Sequence, residues 1–395
     1  MLADPRDRMP GTGDASAQPP VGVGPALADV LPSVATSLGV RWRPRAAHGG
    51  VDLPPTRRAV VVLVDGLGHD LLVRRAGHAP WLRAQLGTTR RLSSGFPSTT
   101  ATSMGSFGTG LAAGAHGLLG YEVLVPGADR LLNELSWEDG PDPFAWQPHD
   151  TVFEVVARSG VDVTRVGPHY FDGSGLTNAA LRGGRFVAAR SLAERVDATV
   201  GAVRASARSL VHLYWGDLDK VGHVHGCDSW QWGDELEAVD RELARLARTL
   251  PPDCALTITA DHGMVDVPHA VRLDVAHDAR LAAGVRHVTA EARAPQLYVQ
   301  QGALEDVLDT WREVLGDTAQ VRTRAEAVGA GWFGAVSAVN LPRIGDVVVA
   351  MQGRHAVVDS RRARPELLAL IGLHGSLSDD EVSVPLVHVP AATVA

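Results

Sequence analysis

Three apolar runs of strand length, each followed closely by acidic residues, constrain the fold of this 395-residue chain more than any other feature. The runs are AVVVLV at 59–64, SLVHLYW at 209–215 and ALTITA at 255–260. Helical patterns separate them, and one of these, at 234–250, repeats its apolar residues at helical spacing. Buried strands that alternate with helices indicate an α/β fold on a mostly parallel sheet. Such sheets bind ligands beyond the carboxyl ends of their strands, where these acids lie.

The pattern also predicts a smaller unit inserted into the main fold. We expect residues 1–40 to form a partly disordered leader, because their beginning is rich in Pro, Gly and Ala. From 286 to 344 the alternation changes: PQLYVQ predicts a strand and LEDVLDTWREVL a helix. GDVVVAM and HAVVDS then predict a pair of strands. We therefore expect an inserted α+β subdomain at 286–344, within a catalytic core formed by 41–285 and 345–395.

Composition excludes several classes of protein. The net charge is −8, from 37 basic and 45 acidic residues, which argues against binding a nucleic-acid polymer. Two cysteines without a CxxC motif are too few for a disulfide framework, and we expect a cytoplasmic location. No apolar run is long enough for a signal peptide or a membrane span, so no membrane partner is expected. The sequence does not indicate an oligomeric state.

Two acidic segments place a carboxylate where it could bind a metal ion or transfer a proton. Asp65 follows the first apolar run and precedes a glycine, although an Asp there could instead cap the next helix. Asp219 and His223 in DLDKVGH are four residues apart, so a helix would place both on one face. This pairing favours a divalent cation, with a helix-surface ion pair as the alternative. His225 offers a second imidazole without that spacing.

Two further motifs add imidazole candidates. TADHGM places Asp261 and His262 in the turn after the third apolar run, where their side chains can diverge toward neighbouring ligands. GLHGS places His374 near the end of the chain. A single His of this kind is commonly structural, and its interest lies in supplying a third ligand beside Asp219 and His223.

The stretch FPSTTATSMGSFGTG, at 96–110, contains seven hydroxyl side chains in fifteen positions. At the start of a helix, Ser98, Thr99 or Thr100 could cap the free backbone N–H groups. Those N–H groups and the helix dipole also stabilise anions, including a deprotonated threonine. No Ser-His-Asp arrangement is evident around this stretch, so a divalent metal ion is the candidate activator of a threonine nucleophile.

Together these motifs resemble the alkaline phosphatase superfamily, in particular its nucleotide pyrophosphatase/phosphodiesterase and phosphonoacetate hydrolase branch. The resemblance rests on VDGLG, FPSTTATSMGSFGTG, GAHGLLG, DLDKVGH, TADHGM and LHGS, which occur in the family's order between about residues 59 and 376. It implies a doubly wound α/β sheet and two divalent metal ions per chain, about 4 Å apart. The metal in this family is usually zinc, and manganese is another candidate.

The resemblance also implies a role for each candidate residue. It assigns one metal ion to Asp65, Asp261, His262 and the nucleophilic hydroxyl, and the other to Asp219, His223 and His374. In the relatives the nucleophile lies ten residues before the Gly of a closing Thr-Gly pair, and counting back from Gly110 gives Thr100. Thr99 is the alternative. Alignment on the Phe-Pro pair would instead select Gly95, which has no hydroxyl.

One position departs from the family pattern. Where the relatives carry an Asn that helps to hold a phosphoryl oxygen, HGLLGYE places Tyr121. A phenol can donate one hydrogen bond in its place, so we expect Tyr121 to contact substrate. The alternative is a packed aromatic residue with no part in binding.

These inferences predict a metal-dependent hydrolase that acts on a small phosphodiester or pyrophosphate, such as a nucleotide derivative, through a phospho-threonine at Thr100. A phosphomonoesterase and a C–P hydrolase are the enzymatic alternatives. A sulfatase is disfavoured because the Cys-x-Pro-x-Arg motif is missing. A binding protein that kept the fold without catalysis is disfavoured by the complete set of candidate ligands.

Overall fold

The computed structural model describes residues 24–42 and 50–392. Residues 1–23 of the predicted leader lie outside these ranges, whereas its later part includes a largely buried helix. The strands are β1 Arg58–Val64, β2 Arg90–Ser93, β3 Glu122–Val125, β4 Arg130–Asn133, β5 Asp162–Gly167, β6 Arg185–Ala188, β7 Ser209–Trp215, β8 Cys254–Thr259, β9 Val265–Asp266, β10 Arg272–Asp274, β11 Val285–Val288, β12 Gln296–Val299, β13 Ala319–Thr323, β14 Val347–Met351, β15 Ala356–Val358, β16 Gly372–Leu373 and β17 Ser383–Val389.

The α-helices are α1 Val30–Ser37, α2 His69–Arg74, α3 Pro80–Gln85, α4 Thr100–Thr109, α5 Ala113–His116, α6 Pro143–Trp146, α7 Val152–Arg158, α8 Gly175–Ala180, α9 Leu192–Arg204, α10 Asp217–His225, α11 Trp230–Thr249, α12 Ala279–Ala282, α13 Leu304–Leu315, α14 Arg324–Gly329, α15 Pro365–Leu368 and α16 Asp379–Val382.

A seven-stranded central sheet forms the main layer, in the order β2-β17-β8-β1-β7-β5-β6. The strands β8, β1, β7, β5 and β6 run parallel, and β17 is antiparallel to both of its neighbours. The three strands predicted from the apolar runs are therefore adjacent, with β1 between β7 and β8. Because these three are parallel, the residues that follow them emerge at the same edge. The predicted α/β fold with a mostly parallel sheet is confirmed.

The apolar pattern explains why these elements form. Every residue of β1 after Arg58 is buried, as expected for a parallel strand covered on both faces. In α11 the predicted apolar stripe is buried, and the opposite side is polar. Its buried stripe includes Leu236, Val239, Leu243 and Leu246.

A second, antiparallel sheet has the order β11-β12-β14-β13, and α13 packs beside β13. It has its own apolar cluster, which extends from Val275 to Val357 and includes Trp311. The predicted strand PQLYVQ and helix LEDVLDTWREVL correspond to β12 and α13. GDVVVAM and HAVVDS also contain strands, but they pair with different partners: β14 lies between β12 and β13, and β15 pairs with β10. The division of the chain at 286 and 344 stays a prediction.

Among the residues that the structure describes, no helix has both the length and the apolar character needed to cross a bilayer. Both cysteines, Cys227 and Cys254, are buried free thiols.

Candidate active site

Three buried carboxylates meet beyond the ends of the adjacent strands β1, β7 and β8. Asp65 follows β1 directly, and Asp261 is the second residue after β8. Asp219 lies in the first turn of α10, which begins just after β7. The exposed fractions of Asp65, Asp219 and Asp261 are 3%, 9% and 0%. Buried acids without paired bases are costly, so their convergence requires a chemical explanation.

Three imidazoles face these acids through their Nε2 atoms. Each ring contacts a main-chain carbonyl oxygen through Nδ1: His223 that of Gly372 (2.7 Å), His262 that of Gly263 (3.0 Å) and His374 that of Ser98 (2.8 Å). An Nδ1–H that donates to a carbonyl leaves the Nε2 lone pair free. This is the usual orientation of a histidine that binds a metal ion.

The Nε2 atoms lie within reach of the carboxylates. His262 Nε2 is 3.3 Å from Asp65 Oδ1 and 3.4 Å from Asp261 Oδ2. His223 Nε2 is 3.3 Å from Asp219 Oδ2, and His374 Nε2 is 3.8 Å from Asp219 Oδ1. The rings of His262 and His374 stack at a centroid distance of 3.6 Å. The structure therefore brings all six predicted carboxylate and imidazole residues into one cluster.

Two compact groups within this cluster could each hold a metal ion. In each group the ligand atoms lie within 4.8 Å of one another: Asp65, Asp261 and His262 in one, and Asp219, His262 and His374 in the other. The first group has the composition implied by the family resemblance. In the second, His262 stands where His223 was expected, although His223 contacts the same carboxylate.

The carboxylate oxygens of the three acids are arranged as ligands for divalent cations would be. Asp65 Oδ1, Asp219 Oδ1 and Asp261 Oδ2 are buried and have no hydrogen-bond partner. The second oxygen of Asp65 accepts a hydrogen bond from Tyr214, and that of Asp261 accepts from two backbone N–H groups, of Gly66 and His262. Each of the three acids thus presents one unsatisfied oxygen to the same space, which is the arrangement that a divalent cation would satisfy.

The pKa shifts reflect this crowding. Burial, together with the charges of Asp261 and Asp219, raises the pKa of Asp65 well above its usual value. Burial also raises the pKa of Asp261. Burial, with the neighbouring imidazoles His262 and His223, lowers the pKa of His374 well below its usual value, so its ring is neutral and able to donate a lone pair. A bound cation would oppose the upward shifts of the acids.

Thr100 is the first residue of α4, and its hydroxyl lies 3.3 Å from His262 Nε2. The first turn of a helix has backbone N–H groups without intrahelical acceptors, and the helix dipole adds partial positive charge there. The Thr100 hydroxyl therefore lies where an anionic oxygen or a phosphoryl group would be stabilised.

Burial distinguishes Thr100 from the other hydroxyls of its stretch. The remaining six are buried: Ser98, Thr99, Thr102, Ser103, Ser106 and Thr109. Thr100 alone among the seven is partly exposed. Thr99 occupies the N-cap position, but its side chain makes no capping bond and contacts Thr102 Oγ1 at 3.2 Å instead. Capping by the Thr99 side chain, which the sequence left open, is therefore excluded.

Two buried hydroxyls join the α4 segment to the loops that carry the cluster. Ser98 Oγ donates to the Ser376 carbonyl oxygen at 2.7 Å, near His374. Ser103 Oγ donates to the carbonyl oxygen of Asp261 at 2.8 Å. Two of the seven hydroxyls thus fix the start of α4 against two ligand-bearing loops.

Two further candidates from the sequence are His225 and Tyr121. His225 is exposed, whereas His223 faces Asp219, which is consistent with the preference for His223. Tyr121 is partly buried, and its hydroxyl hydrogen-bonds with the side chain of Asn133. Burial raises the pKa of Tyr121, so the phenol stays protonated and can donate a hydrogen bond. Its contact with substrate stays a prediction.

Sequence reasoning missed Tyr214, whose hydroxyl lies 2.5 Å from Asp65 Oδ2. Burial, followed by the charges of Asp65 and Asp261, raises the pKa of this phenol well above its usual value, so it remains a donor. The sequence signal for it was a tyrosine at the penultimate position of the apolar run SLVHLYW, just before the acidic segment.

Solved structures of other proteins share this fold at low sequence identity. Murine ectonucleotide pyrophosphatase/phosphodiesterase 5 is similar with a TM-score of 0.66 and 18% identity, over 83% of this chain and 87% of that chain. Phosphonoacetate hydrolase from Sinorhizobium meliloti 1021, in complex with phosphonoacetate, is similar with a TM-score of 0.65 and 20% identity, over 87% of this chain and 94% of that chain.

A more specific relation comes from sequence. Residues 59–377 match the type I phosphodiesterase / nucleotide pyrophosphatase family, and the chain belongs to this family. It is a hydrolase of the phosphodiesterase/pyrophosphatase type. A phosphopentomutase from Kosmotoga olearia is 31% identical over 113 residues, which is 28% of this chain and 27% of that protein. The match thus spans less than a third of the length of this curated relative.

Proposed function

We propose that this protein is a two-metal phosphodiesterase that acts through a phospho-threonine at Thr100. The observation that carries the proposal is the set of unsatisfied oxygens on Asp65, Asp219 and Asp261, which face the same space as the imidazoles and lie beside the only partly exposed hydroxyl of the stretch. One cation would be held by Asp65, Asp261, His262 and Thr100. The other would be held by Asp219, His223 and His374. Zinc is the proposed metal, and manganese is the alternative.

Bound there, divalent cations would lower the pKa of a hydroxyl or water and offset negative charge on phosphoryl oxygens. Thr100 Oγ1 attacks phosphorus, the bond between phosphorus and the leaving oxygen breaks, and that oxygen acquires a proton. Water then attacks the phosphorus of the phospho-threonine, which restores the threonine hydroxyl and releases the second product. The N-terminus of α4 stabilises the phosphoryl group through its free N–H groups. An inactive threonine-to-alanine variant of murine ectonucleotide pyrophosphatase/phosphodiesterase 5 is known in complex with AMP, which supports this role for a threonine.

An aromatic ledge, formed by Tyr170 and Phe171, supports a nucleoside-containing substrate. Tyr170 is 55% exposed, and its ring packs against Phe171 at a centroid distance of 5.1 Å. Phe171 in turn packs against Tyr214 at 5.0 Å, and Tyr214 bonds to Asp65. Exposed aromatic faces stack with nucleobases. Tyr170 is thus connected to the carboxylate cluster through two ring contacts and one hydrogen bond.

The experiment measures metal content and substrate preference together. Protein purified without chelator should contain two metal ions per chain and should hydrolyse bis-p-nitrophenyl phosphate faster than p-nitrophenyl phosphate. Chelation should abolish turnover, and zinc or manganese should restore it. Faster turnover of the monoester would favour a phosphomonoesterase, and phosphate release from phosphonoacetate a C–P hydrolase. Two bound metals without turnover of any phosphate ester or phosphonate would favour a binding protein.

The ledge has a separate test. Tyr170→Ala should raise KM for thymidine 5′-(p-nitrophenyl phosphate) several-fold and leave KM for methyl p-nitrophenyl phosphate unchanged, because only the first substrate has a base to stack. Phe144→Ala is the matched control, since Phe144 is 52% exposed and belongs to α6. Equal KM changes for both substrates would contradict a base-binding role.

A further inference from the structure

Arg293 and Glu381 form an ion pair in which both side chains are completely buried. The contact is bidentate: Arg293 Nε donates to Glu381 Oε1 at 3.0 Å, and Nη2 donates to Oε2 at 2.6 Å. Arg293 lies between β11 and β12 of the antiparallel sheet, and Glu381 lies in α16, just before β17 of the central sheet. The pair therefore joins the four-stranded antiparallel sheet to the central sheet through a fully desolvated contact.

The same glutamate holds two of the loops that carry the candidate ligands. Its Oε1 accepts a hydrogen bond from the backbone N–H of Ser376 at 2.9 Å, two residues after His374. Its own carbonyl oxygen accepts from the backbone N–H of Gly263 at 2.7 Å, one residue after His262. Glu381 thus contacts both loops that carry the stacked rings, the one with His262 and the one with His374.

The nucleophile segment is tied to the same point. Ser98, two residues before Thr100, donates its hydroxyl to the carbonyl oxygen of Ser376 at 2.7 Å. The backbone N–H of Ser98 donates to the carbonyl oxygen of Gly375 at 3.0 Å. The network therefore runs from Arg293 through Glu381 and the 374–376 loop to the start of α4.

We propose that Arg293 and Glu381 are positioning residues that hold the His262 and His374 loops in the geometry needed to bind metal ions. The inference rests on the proposed two-metal function. Neither side chain is a candidate ligand: Glu381 bonds to main-chain groups next to the ligands, and Arg293 acts through Glu381. Arg293 also donates to the carbonyl oxygens of His355 and, at 3.4 Å, Met351, so the antiparallel sheet fixes its guanidinium from behind.

The physical reason is that a loop binds a metal ion with high affinity only if its ligands are already held in the binding geometry. Groups that orient metal ligands typically change metal affinity by about 10–100-fold when removed. Replacement of the Glu381 carboxylate by an amide, as in Glu381→Gln, would weaken the acceptor of the Ser376 N–H and leave the Arg293 charge buried without an anionic partner. The 374–376 loop would then sample other conformations, and His374 would leave the position in which it faces Asp219.

The test measures zinc affinity by competition with a chromophoric chelator on the full-length protein. Glu381→Gln and Arg293→Lys should lower the affinity of at least one of the two sites about tenfold or more, while all ligands remain. Excess zinc should restore kcat in these variants, which a purely structural defect would not allow. The matched control is Arg324→Lys, because Arg324 pairs with Asp346 at 2.7 Å near the same antiparallel sheet, but away from the ligand loops.

If a single variant fails to fold, the double variant Arg293→Met/Glu381→Met removes both charges with similar side-chain volume, a change that folded proteins often tolerate. A folded double variant with reduced zinc affinity supports the inference. Wild-type protein with two zinc ions, and folded variants that bind them with unchanged affinity, would overturn the inference and leave the proposed function intact. Wild-type protein that binds no zinc would instead contradict the proposed function and the inference with it.

Discussion

The hydroxyl of Tyr214 donates a 2.5 Å hydrogen bond to Oδ2 of Asp65, and this bond leaves Oδ1 of the same carboxylate buried and unpaired. One oxygen is thereby fixed by the protein, and the other is directed at the space beside His262. A carboxylate oriented in this way needs no rearrangement to bind a cation. The phenol therefore orients a proposed metal ligand without binding the metal ion itself.

Tyr214→Phe should lower affinity for the metal ion next to Asp65 by about 10–100-fold, because the carboxylate loses the bond that orients it. Isothermal titration of metal-free protein with zinc measures the effect. Tyr298→Phe is the matched control: its hydroxyl is also buried and donates to the Arg343 carbonyl oxygen at 2.5 Å, near the antiparallel sheet. Equal affinities in the two variants would show that the Tyr214 bond has no effect on binding.

Removal of a proposed ligand should be selective. Asp65→Ala and Asp219→Ala should each reduce the metal content by about one ion per chain, because each removes an anionic ligand from a different site. Elemental analysis of protein dialysed against low zinc gives the stoichiometry. Asp217→Ala is the control, since Asp217 lies on the same helix as Asp219 but pairs with Lys220 at the surface. Wild-type stoichiometry in either ligand variant would remove that residue from the site.

Stability should depend on pH through His116, which lies outside the proposed ligand set. His116 Nδ1 accepts the backbone N–H of Leu118 at 3.1 Å, and Nε2 contacts Ser106 Oγ at 3.1 Å, so the ring is bound in its neutral form. Burial, then the charges of His149 and Arg343, lowers its pKa to about 3. The unfolded value is about 6.5, so the unfolded chain binds this proton first as the pH falls.

The stabilising contribution of neutral His116 is therefore complete above about pH 6.5 and is lost toward about pH 3, at up to about 1.4 kcal/mol per pH unit. Urea unfolding of metal-free wild type and His116→Gln at pH 7.5, 6.0 and 5.0 tests this. The stability difference between the two proteins should shrink as the pH falls. A difference that is constant across this range would mean that His116 does not titrate differently in the folded and unfolded states.

The sequence was sufficient to predict the core of the fold and the ligand candidates, because both depend on local patterns. The apolar runs identify β1, β7 and β8, and the carboxyl ends of parallel strands meet at one edge. Asp65 and Asp261 follow directly from this rule. The four-residue spacing of Asp219 and His223 places them on one face of α10.

Contacts between distant segments were not predictable in the same way. Tyr214 and Asp65 are 149 residues apart, and Arg293 and Glu381 are 88 residues apart, so no local pattern reports their approach. The pairing of β14 with β12 and β13 was not predictable for the same reason. Sequence spacing selected Thr100 over Thr99, but only the tertiary structure provides the physical difference, which is the partial exposure of one hydroxyl and the burial of the other.

Tyr121→Phe should raise KM for phosphodiesters by several-fold, because it removes a hydroxyl that remains a protonated donor. The same hydroxyl also hydrogen-bonds with Asn133, so Asn133→Ala separates loss of that bond from loss of a substrate contact. Steady-state kinetics on bis-p-nitrophenyl phosphate give the comparison. If Tyr121→Phe has wild-type kcat/KM on every phosphate ester tested, Tyr121 is a packed aromatic residue and not part of the substrate site.

Thr100→Ala should lower kcat by about 10⁴-fold or more, because it removes the attacking oxygen while the six carboxylate and imidazole ligands remain. Thr99→Ala is the matched control: it removes a neighbouring hydroxyl that is buried and contacts Thr102, at a cost of about 1 kcal/mol in stability. Thr100→Ser keeps a hydroxyl at the same place and should retain part of the turnover. The three variants are compared with wild type at matched metal content, with radiolabelled substrate to trap the phospho-enzyme on denaturation. Label should be found on Thr100 in wild type and be lost in Thr100→Ala. A Thr99→Ala enzyme that is inactive with its metal ions in place would assign the nucleophile to Thr99 instead.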